Sequence, residues 1–98
     1  MNKAHTATLN RICNRYGVEP SQDDFDIKTD GLIIEIETTA SITEAVERLR
    51  LQRGPVYIAI TNKEGVKVAL KSVEETEIGV MDPQGNVLRP SGDHQFAA

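Results

Sequence analysis

Cysteine is nearly absent from this chain. Cys13 stands alone among 98 residues, which excludes an internal disulfide and a cysteine-based zinc site. Long apolar runs are missing too: no stretch approaches the ~20 residues that a membrane-spanning helix needs. The opening Met1-Asn2-Lys3-Ala4-His5 has no signal-peptide pattern, so a cytoplasmic protein without membrane contact is expected. Positive charge is also short. Eleven Lys and Arg face fifteen Asp and Glu, a formal net charge of −4, which disfavours a protein that coats nucleic acid by charge alone. Any nucleic acid would have to meet a local basic patch, or metal ions bridging acidic residues to its phosphates. Internal repeats, low-complexity segments and linkers are lacking as well.

What remains has the balance of an ordinary globular domain, with 39% hydrophobic and 27% charged residues. A chain of this length forms one domain and hides roughly 60–65% of its unfolded surface. We place that domain at residues 1–90, with a flexible tail at 91–98. A domain this small often needs a second copy to complete a binding surface, so a homodimer is expected.

Leu9, Ile12, Cys13 and Tyr16 recur at helical spacing, and Gly17 stops the helix that starts near Ala4. Residues 18–24 read as a loop. Phe25-Asp26-Ile27-Lys28 and Ile34-Glu35-Ile36-Glu37 alternate apolar and polar residues around Asp30-Gly31, a strong hairpin signal because both turn residues tolerate positive φ. Ser41-Ile42-Thr43-Glu44 has the form of a capping box. The helix it would open buries Ile42, Ala45, Val46 and Leu49 and ends at Gly54-Pro55. Residues 56–60, Val-Tyr-Ile-Ala-Ile, read as a strand covered on both faces, so strand, helix and strand suggest a right-handed βαβ crossover. Val66, Ala69, Leu70 and Val73 mark another helix. Residues 78–81 form a strand, 82–86 a turn and 87–88 a short return strand. The predicted fold is α/β, a mixed central sheet flanked by helices.

A two-residue turn at Asp30-Gly31 fixes the register. Ile27 then pairs with Ile34, Asp26 with Glu35 and Asp24 with Glu37. Side-chain alternation gathers Asp24, Asp26, Glu35 and Glu37 on one face, and Phe25, Ile27, Ile34 and Ile36 on the other, the expected core face. Two carboxylates about 5 Å apart repel by roughly 1 kcal/mol in water and about 3 kcal/mol at an effective dielectric near 20. An open surface tolerates this. A covered groove requires a cation or a bound proton. Clustered carboxylate oxygens suit Mg²⁺, Mn²⁺ or Ca²⁺ rather than a soft metal. The alternative is the solvated face of an ordinary hairpin.

Asp26, followed by Glu35-Ile36-Glu37 on the next strand and then by an amphipathic helix and a buried strand, resembles the PD-(D/E)XK nuclease superfamily. The signature region corresponds to residues 25–60, and the flanking helices and strands fit the same restriction endonuclease-like minimal core. The resemblance implies Asp26 and Glu35 as metal-binding carboxylates, with Mg²⁺ or Mn²⁺ as cofactor. It places Glu37 where the family usually has Lys, as a third ligand or general base. Phe25 replaces the Pro that often precedes the Asp. The implied activity is metal-dependent hydrolysis of DNA phosphodiester bonds. The alternatives are a catalytically inactive nucleic-acid-binding or assembly module of the same fold, and a small metal-binding or interaction protein.

Other residues have plainer readings. Arg48, Arg50, Arg53, Lys63, Lys67 and Lys71 could contact phosphates, but intervening glutamates suggest solvated helix faces. His5 reads as a surface residue, Cys13 as core and Asp82 as a turn residue. Gln52 could reach the site from its helix end. Asp30 serves the hairpin turn and becomes a ligand only if the register shifts.

Overall fold

Residues 32–37 place Ile34 and Ile36 on one side of an extended chain and Ile33 on the other, so both sides need cover. The computed structural model, which describes residues 3–22 and 24–92, supplies it. The order is α1 (Lys3–Tyr16), β1 (Ile27–Thr29), β2 (Leu32–Glu37), α2 (Ile42–Leu49), β3 (Val56–Ile60), α3 (Val66–Ser72), β4 (Gly79–Met81) and β5 (Val87–Arg89). The strands form one mixed sheet in the order β1-β2-β3-β4-β5. The inner three are parallel, and β1 and β5 are antiparallel edges. This is the predicted α/β architecture. No helix among the described residues is long and apolar enough to cross a membrane.

Helices cover both faces of the sheet. On one, α1 lays Leu9, Ile12 and Cys13 against Ile27, Ile34, Ile36, Ala59 and Met81. On the other, Ile42, Ala45, Val46 and Leu49 of α2 and Ala69 of α3 pack on Ile33, Val56, Ile58, Ile60 and Val80. Ile58, Ile34 and Ile12 are fully buried, and each such side chain contributes about 1.5–3 kcal/mol. The register Ile27↔Ile34, Lys28↔Ile33 and Thr29↔Leu32 is the predicted one.

Several local expectations need correction. β1 begins only at Ile27, and residues 24–26 bend away from the ladder. Phe25 therefore joins Ile33 in the α2-side core instead of sharing a face with Ile27, Ile34 and Ile36. Neither Asp30 nor Gly31 has positive φ, so apolar alternation, not turn chemistry, sets this register. Ser41 makes no side-chain cap. A 3₁₀ turn at Thr39–Ser41 leads into α2, and the Ser41 hydroxyl donates to the Thr38 carbonyl at 3.2 Å. α2 ends at Leu49, five residues short of Gly54.

Tyr16, predicted on the buried stripe, is 38% exposed, and its hydroxyl donates to the Gly85 carbonyl at 2.5 Å. Arg11 donates to the Pro83 carbonyl at 2.7 Å, and Arg15 to the Gln84 carbonyl at 3.0 Å. Asp82 does serve the turn, accepting from the Gln84 and Asn86 amides. Of the predicted tail, Ser91 and Gly92 are tied to the sheet: Ser91 Oγ accepts from the Val56 amide, and the Gly92 amide donates to the Glu77 carbonyl. Residues 93–98 lie outside the described residues.

The approach of β4 to its neighbours generates a test. A Cβ on Gly79 would lie 2.4 Å from the Tyr57 ring and 2.7 Å from the Arg89 carbonyl oxygen, whereas one on Gly31 meets nothing within 4 Å. Gly79→Ala is expected to cost about 1–3 kcal/mol, read as a lower urea midpoint. Gly31→Ala should stay within about 0.5 kcal/mol of wild type.

Candidate metal centre

Strand alternation puts Glu35 and Glu37 on the same side of β2 as Ile33, the side that faces α2. They sit beside Ile58 and Ile60 of β3. This face is not open. Glu35 is 3% exposed and Glu37 9%, because β2 lies inside a sheet covered on both faces. The expected division into one core face and one acidic outer face is thereby corrected.

Asp26 arrives by a different route. Since β1 starts one residue later, the amide of Ile36 has no strand partner at this point, and Asp26 Oδ2 accepts it at 2.8 Å. The Asp26 amide in turn donates to Glu35 Oε1 at 3.3 Å. These reciprocal bonds satisfy backbone groups at the end of the ladder and hold the two carboxylates together. One oxygen from each of Asp26, Glu35 and Glu37 lies within 4.8 Å of the others. Asp24 and Asp30, both exposed, are not part of this group.

Two basic side chains close on the cluster. Arg48, in the last turn of α2, donates from Nη2 to Glu35 Oε2 and to Glu37 Oε2, the latter at 3.2 Å. His5 Nε2 of α1 lies 3.0 Å from Asp26 Oδ1. Burial pushes the Glu35 carboxyl above its ordinary range. The Arg48 hydrogen bond pulls against this, and the neighbouring Asp26 and Glu37 charges reinforce it. The hydrogen bond to Glu35 likewise holds the Arg48 guanidinium in its charged form.

Both partners depart from the sequence reading, which placed His5 on the surface and Arg48 among solvated charges. The signal was present in the spacing. His5, Leu9 and Ile12 share one helical face, and Arg48 follows Ala45 by three residues at the margin of the buried stripe. Arg50 pairs with Glu47 across an exposed helix face, and Arg53, Lys63, Lys67 and Lys71 are exposed, as a solvated role requires. Gln52 lines a groove beside Arg48 with Asp24, Phe25 and Leu51.

The donor set fits a hard cation. Mg²⁺ and Ca²⁺ are both bound through carboxylate oxygens, and one oxygen from each of the three acids lies within 4.8 Å of the others, so the cluster could hold such an ion. Arg48 reaches two of the same three carboxylates. No family model, curated protein or solved structure matches this chain, so the chemistry of the site rests on its own residues.

The raised Glu35 carboxyl sets the sign of a pH effect. Its proton is held more tightly in the folded protein than in the unfolded chain. Stability from this group is therefore greatest below its ordinary value of 4.5 and is lost as pH rises through the raised one. Urea denaturation across this range should show the decline in wild type and a flatter profile in Glu35→Gln. Arg48→Met is expected to cost about 1–3 kcal/mol at neutral pH, with the loss shrinking as Glu35 becomes protonated.

Proposed function

We propose that this domain is a divalent-metal-dependent nuclease acting on DNA phosphodiester bonds in the cytoplasm, with Asp26, Glu35 and Glu37 as the metal-binding carboxylates and Mg²⁺ or Mn²⁺ as the ion. The observation that carries this reading is the convergence of the three carboxylates within 4.8 Å across the end of a β-hairpin. The order of Asp26 and Glu35-Ile36-Glu37 along that hairpin also resembles the pattern of the PD-(D/E)XK superfamily, with Glu37 where that family usually has Lys. Bound there, a divalent ion supplies Lewis acidity and neutralises charge on the phosphate.

The chain's own residues supply the rest. Asp26 and Glu35 are held by reciprocal backbone bonds and need little rearrangement to present oxygens. Glu37, in the position usually held by Lys, accepts the proton of the attacking water in this reading. His5 orients Asp26 from the opposite side of the cluster. A pair of such domains would extend the surface available to a duplex.

One observation favours a second reading. Arg48 already pairs with both Glu35 and Glu37, as expected in a catalytically inactive nucleic-acid-binding or assembly module whose acidic cluster is closed by a permanent internal cation.

Incubating the protein with linear, nicked-circular, branched and single-stranded DNA separates the two. The nuclease reading expects Mg²⁺- or Mn²⁺-dependent cleavage that falls by more than about 100-fold in Asp26→Ala and in Glu35→Ala, a loss of roughly 3 kcal/mol in the barrier difference. Salt-sensitive DNA binding with no cleavage of any substrate supports the second reading instead.

A further inference from the structure

Asp30 and Gly31 are the whole connection between β1 and β2, because the ladder pairs Thr29 directly with Leu32. Both residues are exposed. This is also the one place in the sequence where glycine follows an aspartate or an asparagine. The order matters chemically. An aspartate's own Cγ lies within reach of the next residue's amide nitrogen, and a side chain on that next residue crowds the approach. Glycine removes the obstacle.

The turn adds no obstacle of its own. A Cβ on Gly31 would meet nothing within 4 Å. The Gly31 amide donates to Thr29 Oγ1 at 3.4 Å, at the long limit of a hydrogen bond. Neither residue has positive φ, so the turn lacks the mirror-image geometry that makes two-residue loops tight. The other described aspartates are placed differently. Asp24 and Asp26 precede the buried Phe25 and Ile27, and Asp82 precedes Pro83, whose nitrogen carries no hydrogen.

We propose that Asp30-Gly31 is a site of slow self-modification, at which Asp30 isomerises to isoaspartate in the folded protein. The Gly31 nitrogen attacks Asp30 Cγ, a C–N bond forms and a C–O bond of the carboxylate breaks. That oxygen leaves as water, taking the amide hydrogen and one proton from solvent, and a succinimide ring remains. Water then opens the ring. Attack at Cγ restores aspartate, whereas attack at the main-chain carbonyl leaves the backbone running through Cβ and Cγ, with a free α-carboxylate beside it. The product has gained no atoms, but its main chain is longer by a methylene. A loop of two residues cannot absorb this and keep Thr29 opposite Leu32. β1 spans only Ile27–Thr29 at the sheet edge, so pairing is lost from the turn inward, toward the bend where Asp26 holds the Ile36 amide.

The full chain, kept in warm neutral buffer and sampled over weeks, tests this by peptide mapping with chromatography and electron-transfer fragmentation. Isoaspartate should accumulate at residue 30 ahead of every other described aspartate, with a transient species lighter by one water. Its rate should lie within about tenfold of the rate in concentrated urea, a ratio worth ~1.4 kcal/mol in the barrier. Gly31→Ala should isomerise about tenfold more slowly than wild type or slower still. Asp30→Asn reaches the same succinimide with ammonia as the leaving group, and should yield a mixture of aspartate and isoaspartate at that position. Isolated aged protein should show a lower urea midpoint than fresh protein.

Isoaspartate that forms in urea but not in the folded chain overturns the proposal, since the turn then protects the site. Equal rates in wild type and Gly31→Ala overturn it as well, as does modification spread evenly over the aspartates. An unchanged urea midpoint in the aged protein overturns the loosening of β1.

Discussion

Two glutamates on an inner strand, buried beneath a helix, oblige the surrounding structure to answer their charge. Moving a carboxylate out of water is costly unless it is paired and hydrogen-bonded. Glu35 and Glu37 are both covered by α2, and the same helix carries the guanidinium that reaches them. Much of the local architecture follows from this pairing. α2 must lie close enough for Arg48 to span both carboxylates, and β1 must begin late enough for Asp26 to turn inward. The apolar residues on this face, Ile33, Ile58 and Ile60, fill the space beside the acids. The pairing with Arg48 offsets part of the cost of burial, yet burial still raises the affinity of Glu35 for a proton.

The large elements were legible in the sequence because each is written in a single period. Alternation at 33–37 and the apolar run at 56–60 specified strands, and the stripes in α1, α2 and α3 specified helices. The hairpin register followed from alternation. What was illegible depended on where an element stops. Phe25 changes sides because the ladder ends at Ile27. The acidic face proved covered because sheet order and the position of α2 are tertiary facts, which hairpin spacing does not encode. Ser41 had the pattern of a cap, but a 3₁₀ turn took its place.

The candidate site was half legible for the same reason. Alternation put Glu35 and Glu37 on one side of β2 and grouped Asp26 with them, although Asp26 joins through the bend before β1 and Asp24 stays outside, whereas His5 and Arg48 come from separate helices packed on opposite faces of the sheet. Only their packing reveals that they converge. Their presence changes the chemical question. An acidic hairpin facing water would invite any hard cation, but this cluster is a buried set of oxygens already engaged by two basic groups. A metal there must compete with the protein's own side chains, so selectivity depends on that competition as much as on ligand geometry.

α1 links the cluster to a distant part of the fold. Near one end, His5 touches Asp26, and toward the other Arg11, Arg15 and Tyr16 grip the carbonyls of the 83–85 turn between β4 and β5. The span from His5 to Tyr16 is about 16 Å at the helical rise. The helix is thus a rigid strut with a polar anchor at each end and an apolar middle seated on Ile34 and Ile36. Slackening the β4–β5 turn would let the strut tilt and withdraw imidazole from carboxylate at the far end, so the order of the acidic cleft is underwritten by a hairpin that contributes none of its ligands.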